Sequence, residues 1–306
     1  MSSSPPPALS ISEVCVLGAT GLIGRAVCAA LERAGVRVTR YSRSARPGFA
    51  QWDPAKGELD TKPLATADAV VNFAGEGLAD KRWSEKRKQT LRDSRVQSTW
   101  LLARTLAGLE RPPKVLVNAS AVGYYGHRGE EAVFEESPAG RGFLSDLCQA
   151  WEAATRPAAD RGIRVVMPRF GMVLTPDGGA LARLLPIFRM GAGGRLGSGQ
   201  QFMPWIAMQD AVSVVRFLMG AQTVRGPVNA VAPEATTNEH FTETLAHVLR
   251  RPAFLPVPNF ALKSVFGELS QALLLEGANV RPRVLELTVF RFDYPRLEDA
   301  LETLVT

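Results

Sequence analysis

The sequence predicts an α/β protein, in which a doubly wound parallel sheet of about seven strands carries helices on both faces. Short apolar runs, typical of strands that are covered on both faces, alternate with stretches in which apolar residues recur at helical spacing. A glycine-rich turn joins the first run to the first helical stretch, and the last quarter of the chain is mostly helical. We therefore divide the chain into a disordered tail (1–12), a sheet domain (13–232) and a C-terminal extension (233–306).

The composition fits one large domain, or one domain with a smaller appendage. Apolar residues make up 46% of the 306 residues, which is enough to bury a full core. The 36 Lys and Arg residues exceed the 30 Asp and Glu residues, but they are scattered, and the densest basic run lacks interleaved aromatic residues. We expect no nucleic-acid partner. No uninterrupted apolar segment approaches the ~18 residues of a membrane span, so we expect no membrane partner either.

The cysteines and histidines indicate neither a disulfide framework nor a metal site. The three cysteines are odd in number and widely spaced, which predicts buried, reduced thiols and a cytoplasmic protein. Cys148 has no neighbouring His or Lys in the sequence to lower its pKa, so an inert thiol is favoured over a nucleophile. The three histidines show no ligand spacing with the cysteines, and we expect no metal ion.

The first strand and the first helix frame a candidate nucleotide-binding turn. Residues 14–17 form the apolar run, and helical spacing begins at Leu22. Gly18 lets the chain reverse tightly, Gly21 lets the backbone approach a pyrophosphate, and Gly24 lets the helix pack closely on the strand. Phosphates would then lie over free N–H groups at a helix N-terminus.

The context of this glycine triplet decides between two interpretations, because such triplets also occur in simple strand-to-helix turns. A strand precedes the triplet and a helix follows it. A second strand (36–41) then comes at the distance that a βαβ unit requires. This order of elements favours the nucleotide site.

The end of the second strand indicates which dinucleotide is bound. NAD-binding proteins place an acidic residue here for the ribose 2′-hydroxyl, whereas a 2′-phosphate needs a hydroxyl and a guanidinium. Ser42 and Arg43 supply these two groups, and no Asp or Glu lies nearby in the sequence. Alternatively, Arg43 is a loop residue whose side chain contacts only solvent. We interpret the pair as a site for NADP rather than NAD.

The next apolar run (68–72) ends in Phe73 and the small residues Ala74 and Gly75. In a doubly wound sheet this carboxyl end opens onto the cofactor crevice. Small side chains at this end let the adenosine ribose and the pyrophosphate approach the backbone closely.

A long amphipathic helix (84–108) follows, and Arg95 interrupts its charge pattern near the middle. The spacing leaves two alternatives open for Arg95, an inward contact to the cofactor or a surface position. The fourth strand (114–120) then ends in Ser120, again at the carboxyl edge of the sheet.

Motifs of one protein family run along nearly the whole chain. The matching stretches are GATGLIG (18–24), SR (42–43), WDP (52–54), DAVVNFAGE (68–76), RW (82–83), SRV (94–96), SAVGYYG (120–126), PRFGMVL (168–174) and GSGQQFMPWI (197–206). On these motifs the chain resembles the extended short-chain dehydrogenase/reductase superfamily. It is most similar to the epimerase-like subfamily with a C-terminal extension, as an atypical member. The resemblance implies a Rossmann fold that binds NADP, with the extension near the nicotinamide and the substrate.

The resemblance also implies which residues contact the cofactor. The phosphate contacts would lie at the turn, at Gly18, Thr20, Gly21, Leu22 and Ile23, and the 2′-phosphate contacts at Ser42 and Arg43. Adenosine-side contacts are expected from Phe73 and Ala74, and further cofactor contacts from Gly75 and Arg95. At the other end of the crevice, the expected cofactor contacts are Ser120, Arg169 and the backbone of Met172 and Val173.

The helix that normally carries the proton-transfer pair of this superfamily lacks it. Members use Tyr-x-x-x-Lys, in which the Tyr gives or takes the proton and the Lys lowers its pKa. In this chain the corresponding helix has neither residue. If Glu152 marks the register, Leu144 and Cys148 occupy the two positions. If the register shifts by one residue, Phe143 and Leu147 occupy them.

Two functional hypotheses follow. In the first, the protein is an NADP-dependent oxidoreductase or epimerase acting on a small molecule, with Ser120 as hydroxyl donor and Tyr124 or Tyr125 as acid. In the second, it binds NADP without turnover and acts as a sensor or protein-interaction module. A packed turn explains the tyrosine pair equally well. The apolar stretch 272–275 is compatible with a subunit contact in a homodimer.

Overall fold

The computed structural model describes residues 11–305 of the chain. Its strands are β1 (Glu13–Leu17), β2 (Arg37–Ser42), β3 (Phe49–Asp53), β4 (Glu58–Leu59), β5 (Ala69–Asn72), β6 (Val115–Asn118), β7 (Ser120–Ala121), β8 (Ala132–Val133), β9 (Arg164–Phe170), β10 (Met172–Leu174), β11 (Trp205–Ala207), β12 (Gly226–Ala230) and β13 (Asn279–Val280).

The helices lie between these strands and along the extension. They are α1 (Leu22–Arg33), α2 (Glu85–Ala107), α3 (Phe143–Ala153), α4 (Arg156–Asp160), α5 (Gly179–Arg189), α6 (Met208–Gly220), α7 (Asn238–Leu249), α8 (Asn259–Phe266), α9 (Glu268–Ser270), α10 (Arg283–Leu287) and α11 (Leu297–Val305). A 3₁₀ turn (Val122–Tyr125) and a π-helical turn (Gln271–Leu275) are also present.

The central sheet confirms the doubly wound architecture. Within the described residues it has nine strands, in the order β12-β9-β6-β5-β1-β2-β3-β4, with β7 also paired to β9. Each pairing is parallel except that of β3 with β4. The sheet is larger than the expected seven strands because β4 and β7 are additional pairs of residues. Its order reverses between β1 and β5, and in such sheets the ligand crevice opens at that point.

Alternate residues of β1 serve opposite faces of the sheet. Val14 and Val16 belong to the core cluster that α1 and α6 cover, whereas Cys15 and Leu17 belong to the cluster under α2 and α4. Successive side chains of a strand point to opposite faces, so a sheet covered on both faces requires continuously apolar strands. This requirement explains the apolar runs in the sequence.

The C-terminal extension interlocks with the sheet domain. Strand β13 pairs in parallel with β8, and Phe290 and Phe292 pack against the cluster under α6. Asp210, buried on α6, accepts hydrogen bonds from the backbone N–H groups of Asp293 (2.7 Å) and Tyr294 (2.9 Å). These contacts hold the extension beside the sheet.

Two residues that the sequence analysis assigned to the tail belong to the packed fold. Ile11 packs against the cluster under α6, and Ser12 donates hydrogen bonds from N (2.8 Å) and Oγ (2.9 Å) to Asp68 Oδ2. The rest of the tail assignment, residues 1–10, lies outside the described residues. Among the helices between residues 11 and 305, none combines the length and the apolarity needed to cross a membrane.

Candidate cofactor and active site

The glycine turn after β1 leaves no space for side chains at two of its positions. Gly18 has a φ of +72°, and a Cβ there would lie 2.5 Å from the carbonyl carbon of Phe73. A Cβ on Gly24 would lie 2.3 Å from the carbonyl oxygen of Gly18. Around Gly21 the nearest such atom is 3.3 Å away. The two ends of the turn therefore exclude a Cβ, and its middle, where helix α1 begins, is tight as well.

Helix α1 begins at the solvent-exposed part of this turn. Its N-cap is Gly21, which has no capping side chain, and its first turn contains no acidic residue. Thr20 and Gly21 are exposed, and Leu22 and Ile23 are half-buried. The first N–H groups of a helix lack intrahelical partners and lie at the positive end of its dipole. This helix start therefore suits an anionic group such as a pyrophosphate.

Ser42 and Arg43 lie beside the turn at the end of β2. Ser42 is buried, and its Oγ accepts a hydrogen bond from the N–H of Ser44 (3.3 Å). The Arg43 side chain is exposed, and its Nη2 lies 3.1 Å from Glu76 Oε1. Because Glu76 follows β5, the Arg43–Glu76 pair reaches across the end of β1.

No acidic residue lies near Arg43 in the sequence, but the fold brings one beside it. Glu76 is 33 residues away in the chain but pairs with Arg43 and, at 3.5 Å, with Arg87 Nη1. The hydrogen bond from Arg43 holds the pKa of Glu76 below its ordinary value, and Arg87 acts in the same direction. The statement that no carboxylate lies nearby is therefore corrected. Two basic side chains neutralise that carboxylate.

Arg95 lies buried beneath the segment that follows β5. Its guanidinium donates to the backbone oxygens of Leu91 (3.2 Å) and Glu76 (2.8 Å), and a Cβ on Gly75 would lie 3.0 Å from its central carbon. Burial lowers the pKa of Arg95 to about 10, which leaves it charged at neutral pH. Of the two alternatives, the structure shows the inward one. Arg95 supports the backbone of the crevice, and its contact with a cofactor stays a prediction.

A buried amide network fixes the strand ends under the crevice. Asn72 ends β5, and its Nδ2 donates to Asn118 Oδ1 (2.7 Å) and Thr99 Oγ1 (3.0 Å). Thr99 also accepts from Trp151 Nε1 (3.0 Å), and Asn72 Oδ1 accepts from the N–H of Ala74 (3.1 Å). The sequence analysis missed this network because four separate elements contribute to it. In the sequence, only the asparagines at the ends of two strands, Asn72 and Asn118, point to this network.

Ser120 is held by an ion pair at the other end of the crevice. Ser120 Oγ donates to Glu152 Oε1 at 2.6 Å. Arg169 holds the same carboxylate through two bonds of 2.8 Å, from Nε to Oε1 and from Nη2 to Oε2. Such a forked arrangement fixes the orientation of the carboxylate. Because its proton is engaged by Glu152, Ser120 offers only its lone pairs to other partners.

This geometry changes the role that the sequence suggested for Ser120. The sequence analysis treated Ser120 as a hydrogen-bond donor to substrate and Glu152 only as a marker of helix register. In the structure, Ser120 donates its proton to Glu152, which leaves only the lone pairs of its hydroxyl for another partner. Arg169, expected to contact the cofactor, has its guanidinium occupied by protein atoms.

Tyr125 belongs to the same buried network. Its side chain is fully buried, and its hydroxyl donates to Asn229 Oδ1 (2.7 Å) and accepts from Arg169 Nη1 (2.9 Å). Burial raises the pKa of Tyr125 to about 12, although Arg169 acts against this rise. A buried hydroxyl with two partners is poorly suited to exchange a proton with substrate. The geometry therefore does not favour Tyr125 as the acid.

Tyr124 differs from its neighbour in having a free hydroxyl. The residue is half-buried, and the central carbon of the Arg169 guanidinium lies 3.4 Å from its ring centre. Within residues 11–305 its hydroxyl has no hydrogen-bond partner. Of the two tyrosines in the sequence-based hypothesis, Tyr124 is the one whose hydroxyl remains available.

One face of α3 replaces the missing Tyr-Lys pair with apolar groups. A Cβ on Gly123, in the 3₁₀ turn, would lie 3.2 Å from Leu144 Cβ and 3.9 Å from Cys148 Sγ. One turn further along this face, Glu152 bonds Ser120. The structure thus selects the register in which Leu144 and Cys148 occupy the two positions. Burial raises the pKa of Cys148 to about 12, as expected for an inert thiol.

The network also reaches the extension through Glu135. Arg169 Nη1 donates to the Glu135 carbonyl oxygen (3.2 Å), and Glu135 Oε1 accepts from the N–H groups of Asn229 (3.0 Å) and Val284 (3.1 Å). Its other carboxylate oxygen is buried without a partner among the described residues. Burial raises the pKa of Glu135. The sequence contained no signal for this residue.

Strand β10 lies close to the glycine turn. Met172 and Val173 are half-buried and pair with Trp205 and Ile206 of β11. A Cβ on Gly178, after β10, would lie 2.9 Å from Leu22 Cδ1, at the start of α1. This proximity brings the predicted nicotinamide-facing backbone and the predicted phosphate site together. In the described part of the chain, no three His, Cys, Asp or Glu side chains form a group able to hold a metal ion.

These features define a class of protein. A mostly parallel sheet, a glycine turn at its switch point and a serine at the end of a neighbouring strand form a Rossmann-like fold of the short-chain dehydrogenase/reductase type. Residues 14–230 match the NAD dependent epimerase/dehydratase family, and residues 257–304 match a domain of unknown function, DUF1731. The chain belongs to the NAD dependent epimerase/dehydratase family.

Relatives of the chain align with it over nearly its whole length. Epimerase family protein Mb2239 of Mycobacterium bovis is 42% identical over 290 residues, covering 94% of this chain and 96% of the relative. Human epimerase family protein SDR39U1 is 39% identical over 296 residues, covering 96% and 99%. A crystal structure of human SDR39U1 (isoform2) with NADPH matches with a TM-score of 0.88 and 37% identity, covering 95% of this chain and 98% of that one.

Proposed function

We propose that the protein binds NADPH along the crevice and uses it in an oxidoreductase or epimerase reaction on a small molecule. The observation that carries the proposal is the cradle at α1, where Gly18 and Gly24 have no room for a side chain and the helix start has no side-chain cap. Such a cradle accepts a pyrophosphate. The human relative, crystallised with NADPH, supports the same cofactor.

The residues present fit successive parts of the dinucleotide. The backbone from Thr20 to Ile23 would hold the pyrophosphate, and Phe73, Ala74 and Gly75 would line the adenosine side. Ser42 and Arg43 would hold the 2′-phosphate, which replaces Glu76 as the partner of Arg43. The backbone of Met172 and Val173 would border the nicotinamide.

The chemistry at the nicotinamide end follows from the two available hydroxyl groups. NADPH supplies a hydride when bound. Ser120 accepts a hydrogen bond from the hydroxyl that forms when hydride and a proton reduce the substrate carbonyl, because Glu152 engages its own proton. Tyr124 gives or takes the proton, and the guanidinium of Arg169 lies beside its ring. Glu152 and Arg169 act as positioning residues for Ser120.

The experiment is NADPH oxidation measured across a panel of small carbonyl compounds, followed by variants. Tyr124→Phe is expected to lower kcat by about 100-fold or more while NADPH binding is unchanged. Tyr294→Phe is the matched control, since Tyr294 packs with the cluster of α5 and α7. Unchanged turnover in Tyr124→Phe would remove Tyr124 from the mechanism.

A second candidate is a catalytically silent NADPH sensor or protein-interaction module. The observation that favours it is the apolar pair Leu144 and Cys148 at the positions of the usual catalytic pair. This candidate predicts that NADPH raises the unfolding temperature but that no carbonyl compound is reduced. A single compound that oxidises NADPH in an enzyme-dependent, Tyr124-dependent manner would exclude it.

We further propose a cytoplasmic protein that forms a homodimer and has no nucleic-acid partner. The three cysteines are buried and unpaired, which suits a reducing compartment. The half-buried stretch 272–275 is the proposed subunit contact. Light scattering during gel filtration measures the molar mass in solution. A homodimer has the mass of two chains, and the mass of one chain would contradict the proposal.

A further inference from the structure

Two segments on the side of the extension carry large apolar side chains that extend into solvent. Met190, at the end of α5, is 75% exposed, and Phe254 and Phe260 are 79% and 76% exposed. The segments lie side by side, because Val257 N donates to Arg195 O (2.8 Å). We call residues 187–195 and 250–263 together the basic apolar surface.

The charge of this surface has one sign. No Asp or Glu occurs between residues 178 and 209 or between residues 244 and 267. Four basic side chains of the surface are exposed and form no ion pair with a described residue, namely Arg189, Arg250, Arg251 and Lys263. The exposed phenylalanines and these unpaired basic residues thus belong to the same two segments. Isolated exposed apolar residues are common, but this combination is typical of interaction surfaces.

A cavity adjoins the surface on its basic side. It has a volume of about 740 Å³ and is lined by Ala246, His247, Val248, Arg250, Arg251 and Glu302. Two arginines in one cavity, against the single carboxylate of Glu302, suit a phosphate group, which accepts several hydrogen bonds from guanidinium groups. Arg250 and Arg251 line the cavity and also belong to the basic apolar surface. The residues that would bind a phosphate in the cavity are therefore only a few residues from Phe254 in the chain.

We propose that the basic apolar surface binds the face of an anionic phospholipid membrane. Phe254 and Phe260 enter the boundary between headgroups and acyl chains, and Arg250 and Arg251 contact lipid phosphates. The sequence-based expectation of no membrane partner rested on the lack of a membrane span. Binding to the surface of a bilayer requires no span.

The observations favour a bilayer over two other occupants. A second copy of the chain would bring like charges together, which disfavours association. A folded partner needs a surface complementary in shape, whereas side chains about three-quarters exposed have little support from their own protein. A fluid bilayer adapts its shape to such side chains. An acidic protein partner is the remaining alternative, and the experiment separates it.

The test is co-sedimentation of the purified full chain with vesicles of phosphatidylcholine alone or of phosphatidylcholine mixed with phosphatidylglycerol. Binding is expected only to the anionic vesicles. Phe254→Ser should lower the partition coefficient about tenfold, and Arg251→Gln about fivefold. Leu287→Ser is the matched control, because Leu287 is 76% exposed but lies on α10, outside the surface. Circular dichroism confirms that each variant is folded.

Three outcomes would overturn the proposal. The first is no binding to anionic vesicles, and the second is equal binding to neutral and anionic vesicles. The third is an equal effect of Phe254→Ser and Leu287→Ser. Binding to poly-glutamate without binding to anionic vesicles would assign the surface to an acidic protein instead. NADPH binding is measured separately, so failure of this proposal leaves the proposed function unaffected.

Discussion

The two ends of the crevice are built in different ways. At the phosphate end, the turn from Gly18 to Gly24 consists of consecutive residues, and its polar groups are backbone N–H groups without side-chain caps. At the other end, Ser120 is fixed by Glu152 and Arg169, which come from distant parts of the chain. One end is open to an anion, whereas the other satisfies its polar groups internally.

This difference indicates that the two ends of the crevice have different functions. Backbone donors with no protein partner gain hydrogen bonds when a phosphate arrives, so the turn can supply binding energy. The Ser120 network already has its hydrogen bonds and gains few new ones. It supplies a fixed geometry instead, in which an acceptor, Ser120, and a free phenol, Tyr124, are held in place. We expect variants at the two ends to fail in different ways.

The largest expected effect is that of Glu152→Ala. The variant leaves Arg169 buried without its carboxylate, and loss of one member of a buried pair typically costs about 3–5 kcal/mol. Urea unfolding measures this loss. Glu32→Ala is the control, because the exposed pair of Glu32 with Arg40 should contribute less than about 1 kcal/mol. Similar losses in the two variants would contradict the assigned role of the network.

Gly18→Ala should have the next largest effect. Gly18 and Gly57 have the same φ of +72°, but a Cβ on Gly57 has no atom within 4 Å, whereas one on Gly18 meets Phe73 at 2.5 Å. Gly57→Ala is therefore the control. The unfavourable φ alone costs about 1–2 kcal/mol in each variant, and crowding adds about 1–3 kcal/mol in Gly18→Ala. Thermal unfolding of both variants measures the difference between them. Equal stability of the variants would show that the turn relaxes.

The backbone geometry of the glycine turn could be predicted from the sequence, because it depends on residues close in the chain. Interpreting the glycine spacing and the Ser42–Arg43 pair required only the order of the strands and helices along the chain. The Ser120 end could not be predicted in this way. The pairing of Ser120 with Arg169 depends on β7 lying beside β9, and the role of Glu152 depends on the register of α3. Glu76 near Arg43 was missed for the same reason.

Within the Ser120 network, the two tyrosines offer a finer comparison. Tyr125→Phe removes hydrogen bonds with Asn229 and Arg169 and should cost about 1–3 kcal/mol in stability. Tyr124→Phe removes a hydroxyl with no partner among the described residues and should change stability by less than about 0.5 kcal/mol. Chemical denaturation of the two variants in parallel measures both values. The reverse order would contradict the assignment of Tyr125 as structural.

The smallest effect concerns pH and Glu135. Burial raises its pKa in the folded state, so the folded protein binds this proton more tightly than the unfolded chain. The corresponding stability is present below the ordinary carboxyl pKa and is lost as pH rises through the raised value. As pH rises above about 4, wild type should therefore lose stability relative to Glu135→Gln. Parallel pH profiles of the two proteins would show that Glu135 has an ordinary pKa.

A fluorescence titration with NADPH and NADH measures whether the open end of the crevice selects NADPH. Wild type should bind NADPH at least about tenfold more tightly than NADH, since a charged hydrogen bond contributes about 1.5–3 kcal/mol. Arg43→Ala should remove most of this preference, and the exposed neighbour Arg46→Ala should retain it. Equal affinity of wild type for the two dinucleotides would contradict the account.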